Sequence, residues 1–155
     1  MNKLFLFFVL LLVTVAACAD IARVNTITTD GAIAAAEAVL KAARKGKHTV
    51  AVAVIDRNGK YRLLVTDDNA GPQTEESAKR KAFTAVSFGR PTSNLTATAG
   101  GSGITIRDIP NTLFLAGGVP IIYNGAPIGA IGVGGAPSGD LDEEYARAGL
   151  KAIHL

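Results

Sequence analysis

The sequence predicts an α+β domain, one antiparallel sheet flanked by helices. Three observations carry this. Asn58-Gly59 and Asn124-Gly125 each separate two β-rich runs, and Asn-Gly tolerates the positive φ of a tight hairpin turn. Three stretches of helical periodicity with start signals lie before, between and after these hairpins. The resulting order is α, β, β, α, β, β, β, α, and hairpins demand antiparallel pairing.

The first segment stands apart from the domain. Met1-Asn2-Lys3 precedes an apolar run from Leu4 to Val15, and Ala16-Ala17-Cys18-Ala19-Asp20 follows. A basic head, an apolar stretch of about a dozen residues and a small-residue exit form a secretory signal. The run is shorter than the ~20 residues that span a bilayer. Residues 1–19 are therefore expected to be a signal peptide, with residues 20–155 as the domain. Two processing routes fit. Ala17-Cys18-Ala19 is an A-x-A site with cleavage before Asp20, whereas Val15-Ala16-Ala17-Cys18 resembles a bacterial lipobox with lipidation at Cys18. Either route predicts a periplasmic or secreted protein, membrane-associated only through a lipid on Cys18. Cys18 is the single cysteine, so no disulfide forms within the chain and stability must come from a packed core.

The first helix is predicted from Gly31 to Ala43, with Thr29 or Asp30 capping it and Ile33, Ala36, Leu40 and Ala43 on one face. Lys45-Gly46-Lys47 ends it. Thr49–Asp56 and Tyr61–Thr66 form the first hairpin. Thr74 is the expected cap of a second helix, with Glu75 and Glu76 in its first turn, that runs to about Phe88 with Ala78, Ala82, Ala85 and Val86 as its apolar face. Pro91 excludes helix at the residue before it. The Gly/Ser/Thr-rich stretch from Thr96 to Pro110 reads as a loop, with a helical turn near Thr92–Ala97. Leu113–Leu115, Val119–Tyr123 and Ile128–Val133 read as three further strands, giving five in all. Asp140, with Glu143 three residues on, forms a capping box for a last helix to about Ile153.

Charge and motifs narrow the function. Removing residues 1–19 takes Lys3 and no acid, leaving 15 basic against 13 acidic residues, or +2. That balance, with scattered basic residues and no Trp, gives no nucleic-acid signature. His48 and His154 are the only histidines, too few for a zinc site within one chain. No serine sits in a G-x-S-x-G elbow. Carboxylate clusters at Asp67-Asp68, Glu75-Glu76 and Asp140–Glu144 could bind iron, calcium or magnesium weakly; helix-dipole complementarity already accounts for the last two. The glycine-rich run from Gly125 to Gly139 has Pro137 where G-x-G-x-x-G needs its last glycine. Its glycines read as close-approach positions for the last helix or a ligand. No conventional catalytic constellation emerges.

Several segments together resemble the GlcG/HbpS-like family, also called the haem-degrading domain family. They are Val52–Gly59, Lys81-Ala82-Phe83-Thr84-Ala85, Phe88-Gly89-Arg90-Pro91-Thr92, Gly117–Ile121, Gly125, Ile128–Gly135 and Asp142-Glu143. The similarity runs from about Thr28 to Ile153, and departs from the family pattern at Val65–Pro72, which lacks a basic residue. The resemblance implies a profilin-like α+β domain, a homo-oligomer and haem (tetrapyrrole) binding, with haem degradation or iron handling at most a slow accompaniment. It points to an apolar slot near Phe83, Phe88 and Pro91, with Lys81 or Arg90 pairing with the propionates. With no sulfur ligand in the exported chain, iron donors would be His48, His154, Tyr61, Tyr123, Tyr145, Thr92 or a neighbouring subunit's residue. The alternative is a non-enzymatic accessory that binds a small ligand or a partner.

Overall fold

In the computed structural model, residues 21–100 and 106–155 are described; the expected signal peptide, with Cys18, lies outside them. Helix α1 spans Thr29–Lys45, strands β1 and β2 span Ala51–Asp56 and Tyr61–Thr66, and helix α2 spans Thr74–Phe88. After short 3-10 turns at Thr92–Leu95 and Ile106–Asp108 come β3 (Gly118–Tyr123), β4 (Ala126–Gly134) and α3 (Gly139–Lys151). All strand pairs are antiparallel, in the order β2-β1-β4-β3.

Among the described residues the sheet has four strands, not five. Leu113–Leu115 forms no ladder. The Leu113 N–H instead donates to Thr84 Oγ1 (2.8 Å), and Phe114 is buried with Leu95 and Ala99 in a small cluster of its own. With that N–H taken by a helix side chain, the run pairs with no strand of the sheet.

Both faces of the sheet are covered. Val50, Val52, Val54, Val119, Ile121, Ile131 and Val133 face α1 and α3. Ala51, Ala53, Ile55 and Ala130 face α2 through Ala78, Ala82, Ala85 and Val86. Two-sided burial explains why β1 reads as an unbroken apolar run. Small residues let α2 lie close on the sheet. A Cβ on Gly132 would collide with Ala78 O, and one on Gly118 with Lys81 O. The glycine-rich strand is therefore a bed for α2, not for the last helix.

The hairpins differ. Asn124 (φ 49°) and Gly125 (φ 77°) are both left-handed, as a two-residue type I′ turn requires. In the first hairpin only Gly59 (φ 76°) is; Asp56 Oδ1 accepts from the N–H groups of Asn58 and Lys60 and shapes a longer turn.

Three expected caps fall elsewhere. Thr28, not Thr29 or Asp30, caps α1, accepting from Gly31 N at 3.1 Å. Ser138, not Asp140, caps α3, and Glu143 holds Ser93 and Arg147 instead of closing a capping box. Thr74 Oγ1 donates to Gly71 O, and Gln73 stands at the N-cap of α2. The buried face of α1 is Ala32, Ala35, Ala36, Val39 and Ala43, with Ile33 40% exposed. Close packing on α3 selects this face: a Cβ on Gly149 would come within 2.7 Å of Val39 and 2.9 Å of Ala35 O.

Candidate functional site

The residues singled out from the sequence do not share one pocket. Lys81 is on the apolar stripe of α2 and only 3% exposed. Its Nζ donates to Asp142 Oδ2 (2.7 Å) and Val133 O (3.1 Å), while Asp142 Oδ1 accepts from Ala136 N at 2.9 Å. Burial pushes the Asp142 carboxyl above its usual range, against the opposing pull of Lys81. The pair forms one wall of a polar cleft of about 480 Å³ between α2 and the start of α3, with Thr74, Ser77 and Ser138.

Phe83 points elsewhere, toward Gly59 and a small cleft with Tyr61, Lys79 and Arg80. Phe88 packs edge-on to Phe114, with ring centroids 5.8 Å apart. Arg90 is exposed. Thr92 is fully buried, and its Oγ1 accepts from Gly118 N at 2.9 Å, anchoring the start of β3.

His48 and Tyr145 hold each other: His48 Nδ1 lies 2.7 Å from Tyr145 Oη. They stand on the α1–α3 side of the sheet, whereas Phe83 packs with the α2 cluster on the other. Tyr61 is exposed at the start of β2.

The two remaining nitrogen and oxygen donors line one groove. Tyr123, at the end of β3, and His154, just past α3, both line a groove of about 670 Å³. Its walls include Ile27, Ala34, Ile128 and Ile153, and the segment Asn25–Gly31 closes one side. The groove follows from the fold: the β3–β4 turn, the start of α1 and the end of α3 converge at one end of the sheet. Sequence reading had both donors but not the walls; the buried Ile27, isolated in a polar stretch, was the available signal. Asp142 was also missed as a partner. A lysine on a stripe with Ala78, Ala82 and Ala85 needs a buried carboxylate, and that requirement was legible.

Comparisons with known proteins show the family of the chain. A family model described as haem degrading protein HbpS-like matches residues 27–151. The chain belongs to this HbpS-like family. The HbpS of Streptomyces reticuli, solved as a double Glu-to-Asp variant, is 49% identical, with a TM-score of 0.84 over 91% of this chain and 97% of that one. The Klebsiella pneumoniae protein ORFY is 30% identical, with a TM-score of 0.78 over 86% of this chain and 94% of that one. An uncharacterized 15.0 kDa protein from the dhaT-dhaS intergenic region of Citrobacter freundii is 31% identical over 117 residues, 73% of this chain and 82% of its own length. The HbpS-like assignment agrees with the α+β fold described above.

The groove's residues suit haem. Its walls supply apolar contact for a macrocycle, and imidazole and phenolate are both established haem-iron ligands. Asp30 lines it and, among the described residues, no Lys or Arg does, so the propionates of a bound haem would have no cationic partner there and would extend to solvent.

Proposed function

We propose that this HbpS-like protein binds haem in the groove between the start of α1 and the end of α3. The observation that carries the reading is the convergence of Tyr123 and His154 on one apolar concavity. Family membership supports it. His154 and Tyr123 would supply iron donors, and Ile27, Ala34, Ile128 and Ile153 would hold the ring. Bound haem would supply redox-active iron, and the groove's residues would hold it. Binding, with haem degradation or iron handling as slow accompaniments, is the activity proposed.

The reading includes export, motivated by the basic-apolar-small order of residues 1–19. The intact mass of protein recovered from the native host tests it: a chain starting at Asp20 or a lipidated Cys18 supports export, and an unprocessed Met1 contradicts it. It also includes self-association, for which the exposed Ile122 and Tyr123 on edge strand β3 are a candidate surface. Light scattering that returns a monomer would remove that part.

Haem titration followed by absorbance tests the main proposal. A shifted Soret band that is weakened in His154→Ala supports it; an unshifted band contradicts it. A second reading, a small polar ligand in the Lys81–Asp142 cleft, is favoured by the Lys81–Asp142 pair and the hydroxyl residues Thr74, Ser77 and Ser138 in its lining. Native mass spectrometry of fresh protein would show such a ligand as a mass increment lost in Lys81→Met.

A further inference from the structure

Tyr145 and His48 form a built pair that haem binding does not use. The phenol is 5% exposed, and His48, between α1 and β1, is half-buried. Their polar atoms are 2.7 Å apart, with the rings tilted by 48° at a centroid distance of 6.0 Å. Gly46 leaves the room: a Cβ there would lie 2.5 Å from Tyr145 Oη and 3.2 Å from His48 Nδ1. Its φ of −77° is open to any residue, so space and not backbone conformation requires glycine.

The direction of the hydrogen bond follows from burial. Desolvation, then the charges of Glu144 and Asp142, raises the Tyr145 phenol above its usual value, so it keeps its proton. A proton on Nδ1 would leave the buried phenolic hydrogen without an acceptor among the described residues; a proton on Nε2 lets the phenol donate to Nδ1. The pair is thus a phenol with a base already in place.

A phenol loses an electron far more readily when its proton leaves in the same event. We propose that Tyr145 and His48 are a proton-coupled redox site that takes up oxidising equivalents. A one-electron oxidant, of the strength that haem and peroxide generate together, removes one electron from the Tyr145 ring. The phenolic O–H bond breaks, and its proton forms an N–H bond at His48 Nδ1. The products are a neutral tyrosyl radical, an imidazolium and the oxidant reduced by one electron. The source of the oxidant rests on the haem-binding reading; the redox property of the pair does not. The placement suits that source, because Tyr145 is six residues before the end of α3 at Lys151, about 9 Å along the helix, and Ala152 beyond it lines the groove.

The chain has three tyrosines and no tryptophan, so the radical is easy to assign. The test uses haem-free protein and a photogenerated ruthenium(III) tris-bipyridine oxidant, with freeze-quench electron paramagnetic resonance as readout. Tyr61 and Tyr123 are exposed and would themselves react, so the test is run in Tyr61→Phe/Tyr123→Phe, where the signal should persist, and it should vanish when Tyr145→Phe is added to that variant. In His48→Ala the radical should form about 100-fold more slowly, the range for loss of a positioned base, and added imidazole should restore part of the rate. A signal that is absent from Tyr61→Phe/Tyr123→Phe, that survives the further change Tyr145→Phe in that variant, or that ignores His48→Ala there would overturn the proposal. Failure here leaves haem titration unaffected, and failure of haem binding leaves this signal in place.

Discussion

Lys81 Nζ lies 2.7 Å from Asp142 Oδ2, with both side chains at most 5% exposed. This ion pair ties α2, on one face of the sheet, to α3, on the other. Removing one partner strands a charge. Asp142→Ala should cost about 3–5 kcal/mol, whereas Lys81→Met with Asp142→Leu should recover most of that loss. Urea unfolding of the two variants checks this; equal destabilisation by the single and double changes would count against it.

Glycines in this chain serve two different needs. At Gly132 the need is space, since a Cβ would meet the α2 backbone at Ala78 O and Ala82 N. At Gly125 it is conformation, since φ is +77° and nothing lies within 4 Å. Gly132→Ala should cost at least about 1–3 kcal/mol by overpacking, and Gly125→Ala about 1–2 kcal/mol through left-handed strain. Gly125→Asn should relieve much of the second cost, while Gly132→Asn should worsen the first. Thermal melts would separate them.

Arg44 and Asp67 join the end of α1 to the end of β2 at 2.6 Å. The guanidinium's hydrogen bond holds the Asp67 carboxyl below its usual range. A lowered folded-state value contributes stability that is fully present above the unfolded value, about 3.9, and is lost as pH falls through the folded one. Arg44 is 61% exposed, so solvent screening keeps the effect small. Asp142 has the opposite sign: burial raises it, so its contribution is lost as pH rises through its folded value. Asp67→Asn should therefore flatten the fall in melting temperature below about pH 4, and lower the profile above it by a small constant amount without changing its slope.

Much of the fold was legible because local chemistry and tertiary structure agree. Asn124-Gly125 specifies its turn through two left-handed residues, and the alanine stripe of α2 matches the face it buries. The mismatches occur where a side chain overrides a local signal. Leu113–Leu115 has strand composition, but Thr84 captures its N–H. Asp140 and Glu143 fit a capping box, but Ser138 caps the helix and Glu143 pairs with Arg147 and Ser93. On α1, Ile33 loses to smaller residues because Gly149 admits close helix packing. The site was legible only as a set of donors. Nothing local indicates that His48 faces Tyr145, 97 residues away, or that Tyr123 and His154 share a groove.

The central claim is that the groove holding Tyr123 and His154 binds haem, and a titration of wild type beside the Tyr123→Phe/His154→Ala double variant tests it most directly. Both residues are exposed, so the double variant should keep the wild-type circular dichroism spectrum. The account predicts a saturable Soret shift at micromolar haem in wild type and a marked loss of it in the double variant. No shift in wild type, or the same shift in both proteins, would contradict it.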